Sequence, residues 1–110
     1  MEKPKKVHSY LGFAAKSRNM VTGYNTCIFQ MNKRKVRLLI LANDISENTM
    51  DKMMTELRKS GTDYRIYGTI DELSRVTGND NKGIYGITDA KFADIIRKEI
   101  DKELSDREVF

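Results

Sequence analysis

The apolar positions of the chain fall into blocks with two different periods. Between residues 5 and 18, Val7, Tyr10, Leu11 and Ala14 recur at helical spacing. Pro4 suits the first turn of such a helix. Residues 20–22 read as a short extended piece. A second helix opens at Gly23 and runs roughly to Asn32, with Tyr24, Cys27, Ile28 and Met31 as its buried stripe. The segment "VRLLILAN" is almost continuously apolar, the pattern of a strand covered on both faces. "DISEN" is a turn into a third helix with Ser46 as its N-cap. Met50, Met53, Met54 and Leu57 face inward on that helix, and Ser60 and Gly61 close it.

"YRIYG" is a short strand. Residues 70–77 predict a short helix closed by Gly78, with Ile70, Leu73 and Val76 inward. Residues 79–83 form a polar loop. "IYGIT" is a further strand, whose Gly86 allows a helix to approach closely. The last helix follows Asp89 and turns Phe92, Ile95, Ile96, Ile100 and Leu104 inward. The tail, residues 105–110, is expected to fray. Strands alternating with helices argue for an α/β layered domain with helices on both faces of a small sheet. The 110 residues make one ordinary domain, 1–110, without repeats or linkers.

Composition adds a soluble globular character, with 39% hydrophobic and 33% charged residues. A single cysteine excludes an internal disulfide and fits a reducing compartment. The start "MEKPKKVHSY" lacks the apolar core of a signal peptide, and "LLILA" is too short to span a bilayer. A cytoplasmic protein without membrane partners is expected. The net charge of +4 is unevenly spread. In residues 1–37, nine Lys/Arg less one acid, Glu2, leave +8; in residues 38–110, eleven Lys/Arg less fifteen acids leave −4. A basic front on an acidic body suggests an anionic partner such as nucleic acid, although solvated basic faces are also common.

Enzymatic chemistry finds few parts. Asp44 and Asp89 each follow a strand, where a shared magnesium ion is conceivable. Each also stands beside a helix start, where aspartate caps free amides, and that reading is favoured. No phosphate-cradling loop, CxxC or HExxH motif is present. His8 lies off its helix stripe and reads as a surface residue, and Cys27 as a small core residue. No enzyme activity, metal or cofactor is expected. The nucleic-acid reading has more support. A helix that starts at Gly23 presents free amides to an anion, with Tyr24 and Asn25 as the first side chains there. Lys16 and Arg18 precede it; Lys33, Arg34, Lys35 and Arg37 follow it. Asn25 either reads a base edge or only adjusts the helix start.

These residues resemble a known family. "LGFAAKSRNMVTG" is similar to its opening helix, basic segment and glycine-started helix. "LLILANDISENT" resembles its apolar strand and following turn, and "DELSRVTG" and "IYGITDAKFADII" its short helix and final strand and helix. Order and spacing agree over roughly residues 7 to 97. The family is the L-seven-Ae type of kink-turn-binding ribosomal proteins, in its bacterial YlxQ-like branch. The resemblance implies a three-layer α/β/α sandwich around a small mixed sheet of about four strands. It also implies a non-enzymatic RNA binder of the translation apparatus. Its partners would be structured, kink-turn-like RNA, ribosomal or otherwise, and the ribosome or a translation factor, bound by a monomer. The start of the second helix would enter the bent RNA, and the loop before the last strand would cover an extruded base. On this chain those elements are Gly23, Tyr24, Asn25 and Thr26 together with residues 79–83. Lys16, Arg18, Lys33 and Lys82 would engage phosphates, and Asn79 would contribute from the loop.

The sequence departs from the family's Gly-x-Asn-Glu-x-x-Lys helix start at two places: Thr26 replaces the acid and Phe29 the lysine. Arg34 stands where a glycine is common, and the loop is polar. On a helical wheel Phe29 lies about 150° from the centre of its helix's apolar stripe. It either tucks under the 79–83 loop or the chain's N-terminus, stacks on an unpaired base, or anchors a protein contact. The last of these makes an accessory or regulatory protein-binding module the alternative function.

Overall fold

The structure is a computed structural model that describes residues 5–108. Pro4 and residues 109 and 110 lie outside the described residues. The elements follow in the order α1 (Lys6–Lys16), β1 (Met20–Thr22), α2 (Tyr24–Asn32), β2 (Leu38–Leu41), α3 (Glu47–Ser60), β3 (Tyr64–Ile66), α4 (Ile70–Thr77), β4 (Ile84–Ile87) and α5 (Ala90–Glu108).

The strands form one mixed sheet in the order β1-β4-β2-β3. β4 is antiparallel to both neighbours, with Met20 and Leu38 opposite Ile87 and Thr22 opposite Tyr85. β2 and β3 are parallel, Leu39 pairing with Tyr64. β2 is buried along its whole length because the pleat sends alternate residues to two cores. Leu38 and Ile40 join Leu11, Leu73, Ile96 and others under α1, α4 and α5. Leu39 and Leu41 join Cys27, Met31, Met53 and Leu57 under α2 and α3. This is the expected three-layer α/β/α sandwich.

Local sequence explains the element ends. Ser46 Oγ accepts from Thr49 N at 3.1 Å and caps α3, and Gly61 closes it in the left-handed conformation. Thr69 Oγ1 accepts from Glu72 N at 3.0 Å and caps α4. Asp44 lies just before α3, yet it caps α4: its Oδ1 accepts from Ile70 N at 2.8 Å. Asp89 Oδ2 accepts from Phe92 N at 2.9 Å at the start of α5.

Several expectations need correction. Residues 105–108, expected to fray, continue α5. Ile95 and Leu104 are exposed rather than inward. The buried line of α5 runs through Ala93, Ile96 and Ile100, and Ile95 falls beside it. Nineteen helical residues span about 28 Å, well beyond the four-residue central strands, so Leu104 has no sheet to cover. Gly86 admits side chains, not a helix: a Cβ there would stand 3.0 Å from Val21 Cγ2 and 3.1 Å from Val36 Cγ2. His8 is half-buried and hydrogen-bonded to Glu72, tying α1 to α4. Partial burial raises the Glu72 carboxyl pKa, but His8 and Lys5 outweigh it and hold that carboxyl below its ordinary range.

The antiparallel registers give the sheet two distinct ends. At one end Gly23 N donates to Ile84 O at 3.0 Å and Ala42 N to Gly83 O at 2.8 Å. At the other, Thr88 N donates to Asn19 O at 2.9 Å and Arg37 N to Ile87 O at 2.7 Å. α2 starts at the first end and finishes at the second, about 13 Å away for nine residues.

Candidate nucleic-acid interface

The first end is built from a helix start and a loop. Gly23 has φ 94° and ψ 155°, a conformation open to glycine and strained for other residues. It turns the chain out of β1 and directly into α2. No side chain caps α2, in contrast to α3, α4 and α5. The first amides of α2 therefore have no partner within the helix. They carry the positive end of its dipole.

The loop of residues 79–83 faces this helix start and is held firmly. Lys82 N donates to Ser74 Oγ at 2.9 Å, and Ser74 Oγ donates back to Lys82 O at 3.0 Å. Tyr85 Oη also donates to Lys82 O, at 2.8 Å. Gly83 is packed so tightly that a Cβ would meet Ile45 at 2.6 Å and Ile70 at 2.9 Å. Asn81 takes a positive φ of 52°. Between helix start and loop lies a groove of about 310 Å³ lined by Gly23, Tyr24, Ser46, Thr49, Lys82 and Gly83.

The structure thus brings together Gly23, Tyr24 and Lys82. Asn25 and Thr26 are exposed in the first turn of α2, and Tyr24 also packs on the core beneath α2 and α3. Asn79 lies next door, in a groove with Asp44, Asp71 and Asp80. Its side-chain amide donates to Thr77 Oγ1 at 2.9 Å, which closes α4. Phe29 does not tuck under the loop: it stands 54% exposed on α2, with Lys33 Nζ 4.3 Å from its ring centroid.

Lys16, Arg18 and Lys33 are not at this end. Lys16 ends α1, Arg18 precedes β1, and Lys33 follows α2, so all three belong to the opposite end of the sheet. Lys82 is the one expected phosphate ligand beside the α2 start. Sequence reading also missed Ser74 and Tyr85, which pin the loop from below. The signal for Ser74 was a polar residue beside the apolar stripe of α4; it is buried.

The two-aspartate metal reading fails on topology. Asp44 follows the end of β2 and Asp89 the end of β4, and these strands are antiparallel. The two carboxylates sit at opposite ends of the sheet, each already accepting from a helix amide. Among the described residues no group of His, Cys, Asp or Glu is arranged to hold a metal ion. Burial pushes the Cys27 thiol up to about 12, which leaves it inert as a nucleophile. No helix of the described residues is long and apolar enough to cross a membrane.

A pinned loop facing an uncapped helix start, with a groove between them, on this sandwich defines an α/β/α domain with one candidate binding groove. Residues 5–96 match the model of the ribosomal protein L7Ae/L30e/S12e/Gadd45 family, and the chain belongs to that family. It is 26% identical over 83 residues to the RNA-binding protein YlxQ of Bacillus subtilis (strain 168), covering 76% of this chain and 83% of that protein. A solved structure of a protein with unknown function from Bacillus halodurans C superposes with a TM-score of 0.85 at 26% identity, over 89% of this chain and 99% of that one. The 15.5kD RNA binding protein of Giardia lamblia shares the fold, with a TM-score of 0.73 at 17% identity, over 87% of this chain and 82% of that one.

Proposed function

We propose that the chain binds structured, kink-turn-like RNA through the α2 start and the 79–83 loop, as a non-enzymatic monomer of the cytoplasmic translation apparatus. The observation that carries this reading is the uncapped α2 start facing a loop pinned by Ser74. The name of the Bacillus subtilis relative, an RNA-binding protein, supports it. Free amides at a helix start favour a phosphate or a base acceptor. Gly23 lets the backbone approach closely, Asn25 offers both donor and acceptor, and Lys82 adds charge. Phe29 is exposed on the same helix and offers a stacking surface worth about 1–3 kcal/mol per base.

A second reading is specifically favoured by Phe29: an exposed aromatic with a basic neighbour also suits a protein contact. One titration separates the two. A fluorescent kink-turn RNA is compared with the same RNA after its sheared G·A pairs are broken, at two salt concentrations. The RNA reading expects salt-dependent binding that needs the G·A pairs. It also expects Phe29→Ala to weaken binding by about 1–3 kcal/mol while shifting stability by less than about 0.5 kcal/mol. Equal, weak binding of both RNAs would leave the protein-contact reading in its place.

A further inference from the structure

The cations that the α2 start does not use converge at the other end of the sheet. Backbone pairing brings them there: the Thr88–Asn19 and Arg37–Ile87 hydrogen bonds place Arg18 and Arg37 beside the end of β4. Arg34 N donates to Met31 O at 2.9 Å, which folds the chain back after α2. Arg34, Lys35 and Arg37, together with Val21, Gln30 and Thr88, line a groove of about 340 Å³.

This charge is uncompensated. Arg18, Arg34, Lys35 and Arg37 are all exposed, and no ion pair among the described residues involves any of them. The acids near this end have other partners. Asp89 caps α5, and Asp63 lies between Arg65 at 3.0 Å and Arg97 at 2.6 Å. Arg18 and Arg34 also hold positive φ angles of 62° and 59°. Glycine would adopt that backbone freely, so these arginines are kept against local preference. Strain of this kind at exposed side chains points to a role outside the fold.

We propose that this basic end is a second RNA-binding surface, which takes the phosphate backbone of an RNA double helix without regard to its sequence. The lining chemistry selects this partner. Arginine forks engage phosphate oxygens in pairs, and Gln30 and Thr88 add neutral hydrogen-bonding groups. Among the described residues no aromatic side chain lines the groove, and the residues that do line it offer no platform for the unstacked bases of a single strand. Val21 is its one large apolar residue, too little for the core of a protein interface. A double helix of RNA shows a protein mainly phosphates and sugars. The inference rests on the RNA reading of the α2 start and extends it. Because α2 is about 13 Å long, one folded RNA reaches both ends: its bend sits at Gly23 and a flanking stem at the basic groove.

The test uses two probes on the full chain. One is a blunt RNA duplex without any bend; the other is a kink-turn hairpin with trimmed stems. The variants are Arg34→Gln/Lys35→Gln/Arg37→Gln, its charge-keeping counterpart Arg34→Lys/Arg37→Lys, and Asn25→Ala. The triple variant is expected to lose about tenfold or more of its duplex affinity at low salt, and its log-log salt slope to fall by about 2–3. The lysine variant, which keeps the charge but loses the paired contacts, should lose less duplex affinity than the triple variant, and Asn25→Ala should lose none. Wild-type protein that does not bind the duplex, or a triple variant that binds it equally well, overturns the proposal whatever the hairpin does. A hairpin that fails to bind while duplex affinity still depends on the three cations removes the α2-start reading alone.

Discussion

The two ends of the sheet present positive charge in different ways. At the Gly23 end it is partial and fixed: backbone amides of α2, a pinned loop and one lysine. That end also carries Asp44, Asp80 and an Asp71–Arg75 pair, so its acids offset much of its positive charge. At the Arg37 end the charge is whole and exposed, without an ion pair among the described residues, and carried on long flexible side chains. Fixed dipoles reward a ligand whose shape delivers an acceptor to the right place. Mobile cations reward any dense row of phosphates. On the readings proposed above, one helix thus separates a site that would discriminate from a site that would only attract.

Gly83→Ala should break this comparison most sharply. The added methyl collides with Ile45 and Ile70, both partly buried and packed against the core. Overpacking of this kind costs about 1–3 kcal/mol. A denaturant melt should show that loss, and the kink-turn hairpin should bind much more weakly, while the blunt duplex binds as before. Equal losses for both RNAs would mean that the two ends do not act independently.

Arg34→Gly sharpens the contrast at the other end with a smaller effect. Relief of the left-handed strain should raise stability by about 1 kcal/mol. That is a Tm increase of about 4–8 °C for a chain of this size. Duplex affinity should fall at the same time. A variant that gains stability and loses nothing would show that the arginine serves no ligand.

The smallest effect separates paired charge from unpaired charge. Arg65 and Arg97 outweigh partial burial and hold Asp63 below its usual 3.8, and a hydrogen bond from Arg65 does the same for Asp101. Their folded values are depressed, so the stability they contribute is present above 3.8 and is lost as the pH falls below it. These pairs are solvent-exposed and contribute only about 0.2–1 kcal/mol each. Acid melts of Asp63→Asn/Asp101→Asn should show a shallower loss below that pH than wild type, whereas the Arg34, Lys35 and Arg37 variants should retain the full acid dependence.

Most of the fold was legible because local and global signals agree. Period-3.6 stripes, Ser46 and the two closing glycines each marked an element end that the structure keeps. The corrections arise where a residue's partner is remote in sequence. Asp44 caps a helix that starts 26 residues later, and His8 meets Glu72 across two packed helices. The candidate site was half legible. Gly23 announces a helix start without help, since its backbone needs no long-range partner. That Lys16, Arg18 and Lys33 stand at the opposite end depends on strand direction, which no local pattern encodes. Only the antiparallel register of β1, β4 and β2 reveals it.

Under the proposed RNA reading, the two-way hydrogen bond between Ser74 and Lys82 bears on the tempo of recognition. A loop anchored to a buried hydroxyl already has its shape fixed before any ligand arrives. On that reading the protein adds no slow step of its own, so the observed association rate is expected to rise in proportion to RNA concentration without levelling off. On the same reading any lag would belong to the RNA, which would have to bend to fit a surface that does not wait for it.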